Sequence, residues 1–191
     1  MTTEATDPAA PVPSPAGAHP VGEQPAGEHP ALAAGHEHAP RLRDTSRVRP
    51  PLRRVVSAVV TDLPLSVAEH EAAVADPAAG AVVSFSGAVR NHDGGREVAG
   101  IEYVGHPSAA GVLERVVADV AARSDVEAVA VSHRLGPLGV GEPALVVAVS
   151  AAHRQEAFAA AALLVDEVKH HLPVWKRQVF ADGSDEWVAC P

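Results

Sequence analysis

The chain has 191 residues, of which 47% are apolar, and its 24 acidic side chains outnumber the 15 basic ones, for a formal charge of −9. That charge excludes a generally basic nucleic-acid binder, because such proteins gain affinity by neutralising phosphates. A single cysteine, Cys190, excludes an internal disulfide framework, and no apolar run approaches the roughly 20 residues that a membrane span needs. Without a recognisable signal peptide, we expect a soluble protein of the cytoplasm.

The composition changes near residue 50. Residues 1–50 hold nine of the 17 prolines and no aromatic residue, so they have little apolar surface to bury. Ordering such a segment costs more entropy than burial returns, which predicts a disordered Pro/Ala/His-rich tail. The basic stretch of arginines between residues 41 and 54 is interpreted as a solvated linker. The folded domain is expected to cover 51–191.

From residue 54 onward, periodicity predicts alternating strands and helices. Strands are predicted over 54–62, 80–89, 97–105, 126–136, 143–151, 174–180 and 186–190, and helices over 66–76, 107–124 and 153–171. Ser66 and Ser150 are candidate helix caps, and Pro173 is expected to end the last helix. The NHDGG loop suggests a hairpin between the second and third strands, and 136–142 reads as a turn. Strands and helices in this order predict an α+β domain.

The two lysines give the most specific clue to chemistry. Thirteen of the 15 basic residues are arginine, and Lys169 and Lys176 stand on either side of the proline-terminated helix end. An amine can act as an acid, a base or a nucleophile, whereas a guanidinium effectively cannot lose its proton. The alternative, that two lysines lie close together by chance, stays open on spacing alone.

Other candidates follow buried strands or open helices. Arg90 and His92 follow the strand over 80–89, and loops on a rigid scaffold often carry site residues. His153 and Arg154 open the long helix, where backbone N–H groups and the helix dipole favour an anion such as phosphate. His133 is interpreted as structural.

The length of that helix bears on assembly. Arg154 and Lys169 are 15 residues apart, which is roughly 22 Å along a helix. One small substrate cannot contact both within one chain. The sequence predicts either two separate sites or one composite site in a symmetric dimer, and we favour the dimer.

Four blocks in order carry a family resemblance: GAVVSFSGAVRNHDGG, VSHRLGPLGVGE, SAAHR and VKHHLPVWKRQ. Over about residues 54–190 the chain resembles the large, catalytic subunit of molybdopterin synthase. The resemblance implies a hammerhead-like α+β domain with a mixed or antiparallel sheet and three helices. It also implies a homodimer that forms the core of a heterotetramer with a small ubiquitin-like sulfur carrier. The carrier's Gly-Gly thiocarboxylate would supply two sulfurs that convert cyclic pyranopterin monophosphate into molybdopterin.

Ten positions match substrate-binding residues of that family: Phe85, Ala88, Val89, Arg90, His153, Arg154, Lys169, Lys176, Arg177 and Gln178. The resemblance implies that the two lysines are catalytic and that His153 and Arg154 come from the neighbouring protomer. Ala88 departs from the family pattern, in which a lysine is frequent, so this contact is expected to involve backbone alone. No cofactor or metal is implied, because the sulfurs are installed before molybdenum.

Two other classes of function fit the residues. One is a non-enzymatic module that binds a carrier's C-terminal peptide by strand addition. The other is a different phosphate-ester enzyme, in which Lys169 forms a Schiff base. The binding module would bind the carrier without forming product. The Schiff-base enzyme would give a substrate adduct that borohydride traps.

Overall fold

The computed structural model describes residues 49–189 and shows an α+β domain, as the sequence predicts. In chain order its elements are β1 (Arg54–Thr61), α1 (Val67–Ala73), β2 (Ala81–Ala88), β3 (His92–Asp93), β4 (Arg96–Gly105), α2 (Ala109–Arg123), β5 (Ala128–Arg134), β6 (Gly136–Gly139), β7 (Pro143–Ala151), α3 (Arg154–His171), β8 (Val174–Phe180) and β9 (Asp185–Ala189). The predicted tail lies outside the described residues except for its last two positions, and so does Cys190. Within residues 49–189 no helix is long and apolar enough to cross a membrane.

The first sheet is mixed and has the order β1-β5-β7-β2, with β1 parallel to β5 and the other neighbours antiparallel. Both faces of its central strands are covered, because successive side chains of a strand point to opposite faces. On β5, Val129 and Val131 pack towards α2 and α3, whereas Ala128 and Ala130 pack towards Val74 at the end of α1. The sheet therefore lies between α1 on one face and α2 with α3 on the other.

Local sequence explains where the helices begin and end. Ser66 caps α1, because its hydroxyl oxygen accepts a hydrogen bond from the backbone N–H of Glu69 at 3.2 Å. The helix α3 begins after His153 and ends before Pro173. A proline disfavours the helical conformation of the residue that precedes it, so Leu172 is extended. Ser150, the predicted cap of α3, instead lies buried in β7. The C-terminal end of α3 thus leads directly into β8.

The second sheet is antiparallel: β4 pairs with β8, β8 pairs with β9, and the short strands β3 and β6 also pair with β4. It covers a small core that consists of Val89, Val98, Ile101, Leu138, Ala144 and Phe180. Arg96 lies 3.5 Å from the ring centre of Phe180 and pairs with Asp182 at 3.0 Å, which fixes the turn between β8 and β9. Tyr103 packs against this small core and against the larger core between the first sheet and helices α2 and α3, so it links the two sheets.

Two pairings differ from the sequence predictions. The hairpin expected between the strands over 80–89 and 97–105 is wrong, because β2 pairs with β7 while β4 belongs to the second sheet. The loop between them forms its own tight turn, in which β3 pairs with the start of β4. The predicted turn over 136–142 also contains β6. Alternation along a strand shows which face is buried but does not identify the neighbouring strand.

The described part of the basic stretch before β1 is anchored, contrary to the expectation of a solvated linker. Arg49 pairs with Glu127 at 2.9 Å and with Asp76 at 3.1 Å, and both carboxylates are almost fully buried. Arg54 pairs with the other oxygen of Asp76 at 3.3 Å. Buried carboxylates require cationic or hydrogen-bonding partners, so these arginines satisfy groups of the core. Since Glu127 directly precedes β5, the chain enters the described domain beside the amino end of that strand.

Candidate active site

The two lysines lie on different elements and border one cavity. Lys169 is in the last turn of α3, Lys176 is on β8, and both line a cavity of about 260 Å³, here called the lysine cavity. Both also line a neighbouring cavity of about 370 Å³, here called the Arg90 cavity. Among residues 49–189 neither ammonium group has an ion-pair partner. The structure thus brings together the two amines that the sequence singled out.

The lysine cavity has mostly apolar walls. They are formed by Phe85, Gly87, Ala88, Ala144, Leu145, Val168, Leu172 and Val174. Gly87 leaves room beside the ring of Phe85, because a Cβ atom at that position would lie 3.1 Å from Cε1. Apolar walls lower the local dielectric, so the lysines attract an anion more strongly here than they would in water.

The pairing of β8 with β4 determines which predicted residues face the cavities. Lys176 lies opposite Tyr103, and Gln178 lies two residues further along the same face. Arg177 points to the other face, where it pairs with Asp185 at 2.9 Å and with Glu102 at 3.6 Å. Hydrogen bonding to Asp185 and both negative charges raise the pKa of Arg177. Arg177 therefore lines neither cavity.

The Arg90 cavity gathers most of the other predicted residues. Its lining includes Ala88, Val89, Arg90, His92, Asp93, Lys169, Lys176 and Gln178. Arg90 pairs with Asp93 at 3.0 Å, and the side-chain amide of Gln178 donates to the second oxygen of Asp93 at 3.0 Å. The Gln178 hydrogen bond, together with the charges of Lys176 and Arg90, holds the pKa of Asp93 below its usual value. Arg90 is thus oriented by a carboxylate that stays ionised.

The turn between β6 and β7 holds the backbone that follows β2. The N–H of Val89 donates to the carbonyl oxygen of Glu142 at 3.1 Å, and the N–H of Gly141 donates to that of Val89 at 2.8 Å. The carboxylate of Glu142 accepts hydrogen bonds from the N–H of Gly139 at 2.6 Å and from Arg134 at 2.9 Å. These two contacts hold the pKa of Glu142 below its usual value. Arg134 and Glu142 therefore fix a cavity-lining segment although they line neither cavity.

His153 and Arg154 lie at the opposite end of α3. Both are exposed, and they line neither the lysine cavity nor the Arg90 cavity. The helical rise puts the Cα atoms of Arg154 and Lys169 about 22 Å apart. One chain therefore brings seven of the ten predicted residues to the two cavities, and His153, Arg154 and Arg177 lie elsewhere.

Two cavity residues, Tyr103 and His133, were not among the predicted site residues. Their rings meet edge to face, with centroids 5.3 Å apart. Burial lowers the pKa of His133 to about 4, and its hydrogen bond to the carbonyl oxygen of Arg134 only partly opposes this effect. Alternation along β5 carried the missing signal, because His133 shares the face of Val129 and Val131, which packs against the core under α3.

The charges and walls of the two cavities suit an anionic ligand with an apolar part. Lys169, Lys176 and Arg90 supply the positive charge, and amines beside an apolar wall can also exchange protons. Among residues 49–189 no group of three His, Cys, Asp or Glu side chains converges in a way that would hold a metal ion.

Comparisons with known proteins agree on one family. The family model described as MoaE protein matches residues 60–171. A molybdopterin synthase catalytic subunit from Nostoc sp. is 42% identical over 135 residues, covering 70% of this chain and 82% of the relative. A molybdopterin synthase structure from Staphylococcus aureus has a TM-score of 0.63 at 26% identity, covering 68% of this chain and 94% of that one. A Helicobacter pylori complex of subunits 1 and 2 of molybdopterin-converting factor shares the fold, with a TM-score of 0.52 at 16% identity over 71% of this chain and 88% of that one.

Proposed function

Because this chain belongs to the MoaE protein family, we propose that it is the catalytic subunit of a molybdopterin synthase. In this proposal it transfers sulfur from the C-terminal thiocarboxylate of a small ubiquitin-like carrier to cyclic pyranopterin monophosphate. The product is the dithiolene of molybdopterin, so the protein is a sulfurtransferase of molybdenum cofactor biosynthesis. As part of this proposal we assign the reaction to the cytoplasm, and the single cysteine agrees with a reducing compartment.

One observation carries the proposal: two ammonium groups without ion-pair partners among residues 49–189 border the same apolar-walled cavity. Ammonium groups that no protein carboxylate engages are available to pair with an anionic ligand, and the apolar wall strengthens that attraction. A thiocarboxylate, a phosphate and the oxyanion that develops during acyl transfer are all anions. The cavity therefore supplies compensating charge where sulfur transfer develops negative charge.

The two lysines take different roles in this mechanism. The thiocarboxylate sulfur attacks the pterin side chain and displaces an oxygen substituent there, which forms a thioester between carrier and pterin. Water then hydrolyses this thioester, so the sulfur stays on the pterin and the carrier leaves as a carboxylate. Lys169 acts as the general acid or base, or stabilises the negative charge that develops. Lys176 holds the carrier's terminal carboxylate or thiocarboxylate. Arg90, already oriented by Asp93, binds the anionic end of the pterin.

Two of the predicted residues, His153 and Arg154, can reach the substrate only if two copies of the chain assemble. His153 and Arg154 are about 22 Å from Lys169 along α3, so we propose that a second copy of the chain supplies them to the same substrate. The active unit would then be a homodimer with a carrier subunit at each site, a heterotetramer. Gln178 and the backbone of Ala88 and Val89 line the proposed pterin site.

The direct test mixes the purified protein with a thiocarboxylated carrier and the pterin precursor and measures the dithiolene product. We expect product in proportion to the thiocarboxylate supplied, and none with a carrier that ends in an ordinary carboxylate. For substitutions of Lys169 or Lys176 in this assay, Arg115→Ala is a matched control, because Arg115 is an exposed cation on α2 that lines neither cavity. Carrier binding without any product would favour the peptide-binding module, and a borohydride-trapped substrate adduct would favour the Schiff-base enzyme.

A further inference from the structure

The lysine cavity contains a hydrogen-bond acceptor that the proposed mechanism leaves unused. His133 lies near the carboxyl end of β5 and lines the cavity although it is only 6% exposed. Its Nδ1 atom lies 3.0 Å from the carbonyl oxygen of Arg134. A carbonyl oxygen only accepts hydrogen bonds, so Nδ1 carries the proton and the neutral ring keeps its lone pair on Nε2.

The Nε2 atom of His133 is open to a ligand. It has no hydrogen-bond partner among residues 49–189, and it is not one of the fully enclosed polar atoms that lack a partner. The ring is neutral near pH 7, since burial lowers the pKa of His133 to about 4. The contact with Tyr103 holds the ring plane, so the lone pair has a fixed direction.

We propose that Nε2 of His133 accepts a hydrogen bond from an N–H group of the substrate bound in the lysine cavity. This inference deepens the proposed function and rests on it. Lysine ammonium groups only donate, so Lys169 and Lys176 bind oxyanions but offer nothing to an N–H. The other side-chain acceptor in the lining is the hydroxyl of Tyr103. Two ligands of the proposed reaction carry N–H groups: the pterin ring, and the backbone amides of the carrier's C-terminal peptide.

The first arm of the test reads the ring in the ligand-free protein. Nitrogen NMR of histidine-labelled protein should show His133 protonated at Nδ1 and unprotonated at Nε2 from pH 8 down to pH 5. Adding the ligand that uses this contact should shift the Nε2 resonance. A ring with its proton on Nε2, or one that titrates near pH 6.5, would overturn the proposal whatever the activity of the protein.

The second arm uses two substitutions that separate the nitrogens. In His133→Asn the amide N–H can still reach the carbonyl oxygen of Arg134, but no acceptor occupies the Nε2 position. In His133→Gln the side-chain oxygen can occupy that position, but the contact to Arg134 is lost. Dissociation constants would be measured for the pterin precursor and for the carboxylate form of the carrier, with thermal unfolding as the check on folding.

The expected order of the variants distinguishes a ligand contact from a structural one. His133→Asn should bind one of the two ligands about tenfold more weakly, whereas His133→Gln should stay within about threefold of the wild type. The ligand that weakens identifies the donor as pterin ring or carrier peptide. A purely structural histidine predicts the reverse order, and that result would overturn the proposal. If wild-type protein binds neither ligand and forms no product, the proposed function fails. If wild-type protein turns over normally but the variants do not follow the expected order, only the inference about His133 fails.

Discussion

The two ends of α3 differ in chemistry although one continuous helix joins them. At the C-terminal end, Lys169 borders two cavities together with Lys176. At the N-terminal end, His153 and Arg154 are exposed and line neither cavity. One chain holds the amine half of the proposed site, whereas the proposal takes His153 and Arg154 from a second copy. The expected effects of substitution should therefore differ between the two ends.

The largest effect is expected at the C-terminal end. Lys169→Ala should reduce product formation by about 10³-fold or more, because a positioned acid or charge stabiliser contributes about 10²–10⁴. Thermal unfolding should change little, since Lys169 is exposed and lacks an ion-pair partner among residues 49–189. Rate measurements test the expected loss of turnover, and thermal melts test the expected unchanged stability. Wild-type turnover by this variant would remove the role assigned to Lys169.

Mixing variants tests whether the two ends meet in a dimer. Arg154→Ala alone should lower turnover by about 10- to 100-fold, because a hydrogen bond to a charged group contributes about 1.5–3 kcal/mol. When Arg154→Ala and Lys169→Ala subunits are exchanged, half of the dimers are mixed, and each mixed dimer has one intact site. Recovery to about a quarter of wild-type activity is expected. No recovery despite proven subunit exchange would show that the ends do not share a site.

A smaller effect is expected from the turn that holds the end of β2. Glu142→Ala removes the acceptor for Arg134 and for the N–H of Gly139, so the segment before Arg90 loses its support. We expect KM for the pterin to rise about five- to tenfold with kcat within about twofold, since substrate contacts are loosened and the lysines are untouched. Glu114→Ala, an exposed glutamate of α2 that lines neither cavity, is the control. A fall in kcat with unchanged KM would contradict this positioning role.

A last effect, on the free energy of unfolding and not on turnover, concerns the pH dependence of His133 under the C-terminal end of α3. The folded pKa of His133, about 4, lies below the unfolded value of 6.5, so between these values only the unfolded chain binds the proton. The contribution of neutral His133 to the free energy of unfolding is therefore fully present above about pH 6.5. It is lost as the pH falls towards 4, by roughly 2 kcal/mol at pH 5. Denaturant unfolding of His133→Asn should show a shallower decline between pH 7 and 5. Equal slopes would mean that His133 is not buried as described.

Much of the fold could be predicted because its elements follow from local patterns. The alternation of 54–62 and 143–151, the cap at Ser66 and the stop at Pro173 all fall where the structure has them. The pairing of β2 with β7 could not be predicted, since strands of similar alternation compete for one neighbour and only the assembled core decides. β6 was hidden because a Gly-Pro segment at a sheet edge has the composition of a turn.

The site divides in the same way. The rarity of lysine and the helix stop pointed to Lys169 and Lys176, and the family prediction is confirmed by the comparisons. Alternation places His133 on the buried face of β5, but no local pattern assigns His133 or Tyr103 a function, because a buried ring is usually only part of the core. Their place in the cavity depends on how β4 and β5 meet across the two sheets. Whether the other predicted residues bind substrate stays a prediction that the experiments above address.

The ion pairs of Arg49 have a practical consequence at the bench. They hold the incoming chain beside the amino end of β5, whereas His133 and the mouth shared with Lys169 lie at the carboxyl end of that strand. A strand of seven residues separates the two places by about 20 Å. A label or tether joined directly to residue 49 would therefore be attached at the end of the sheet away from the lysine cavity.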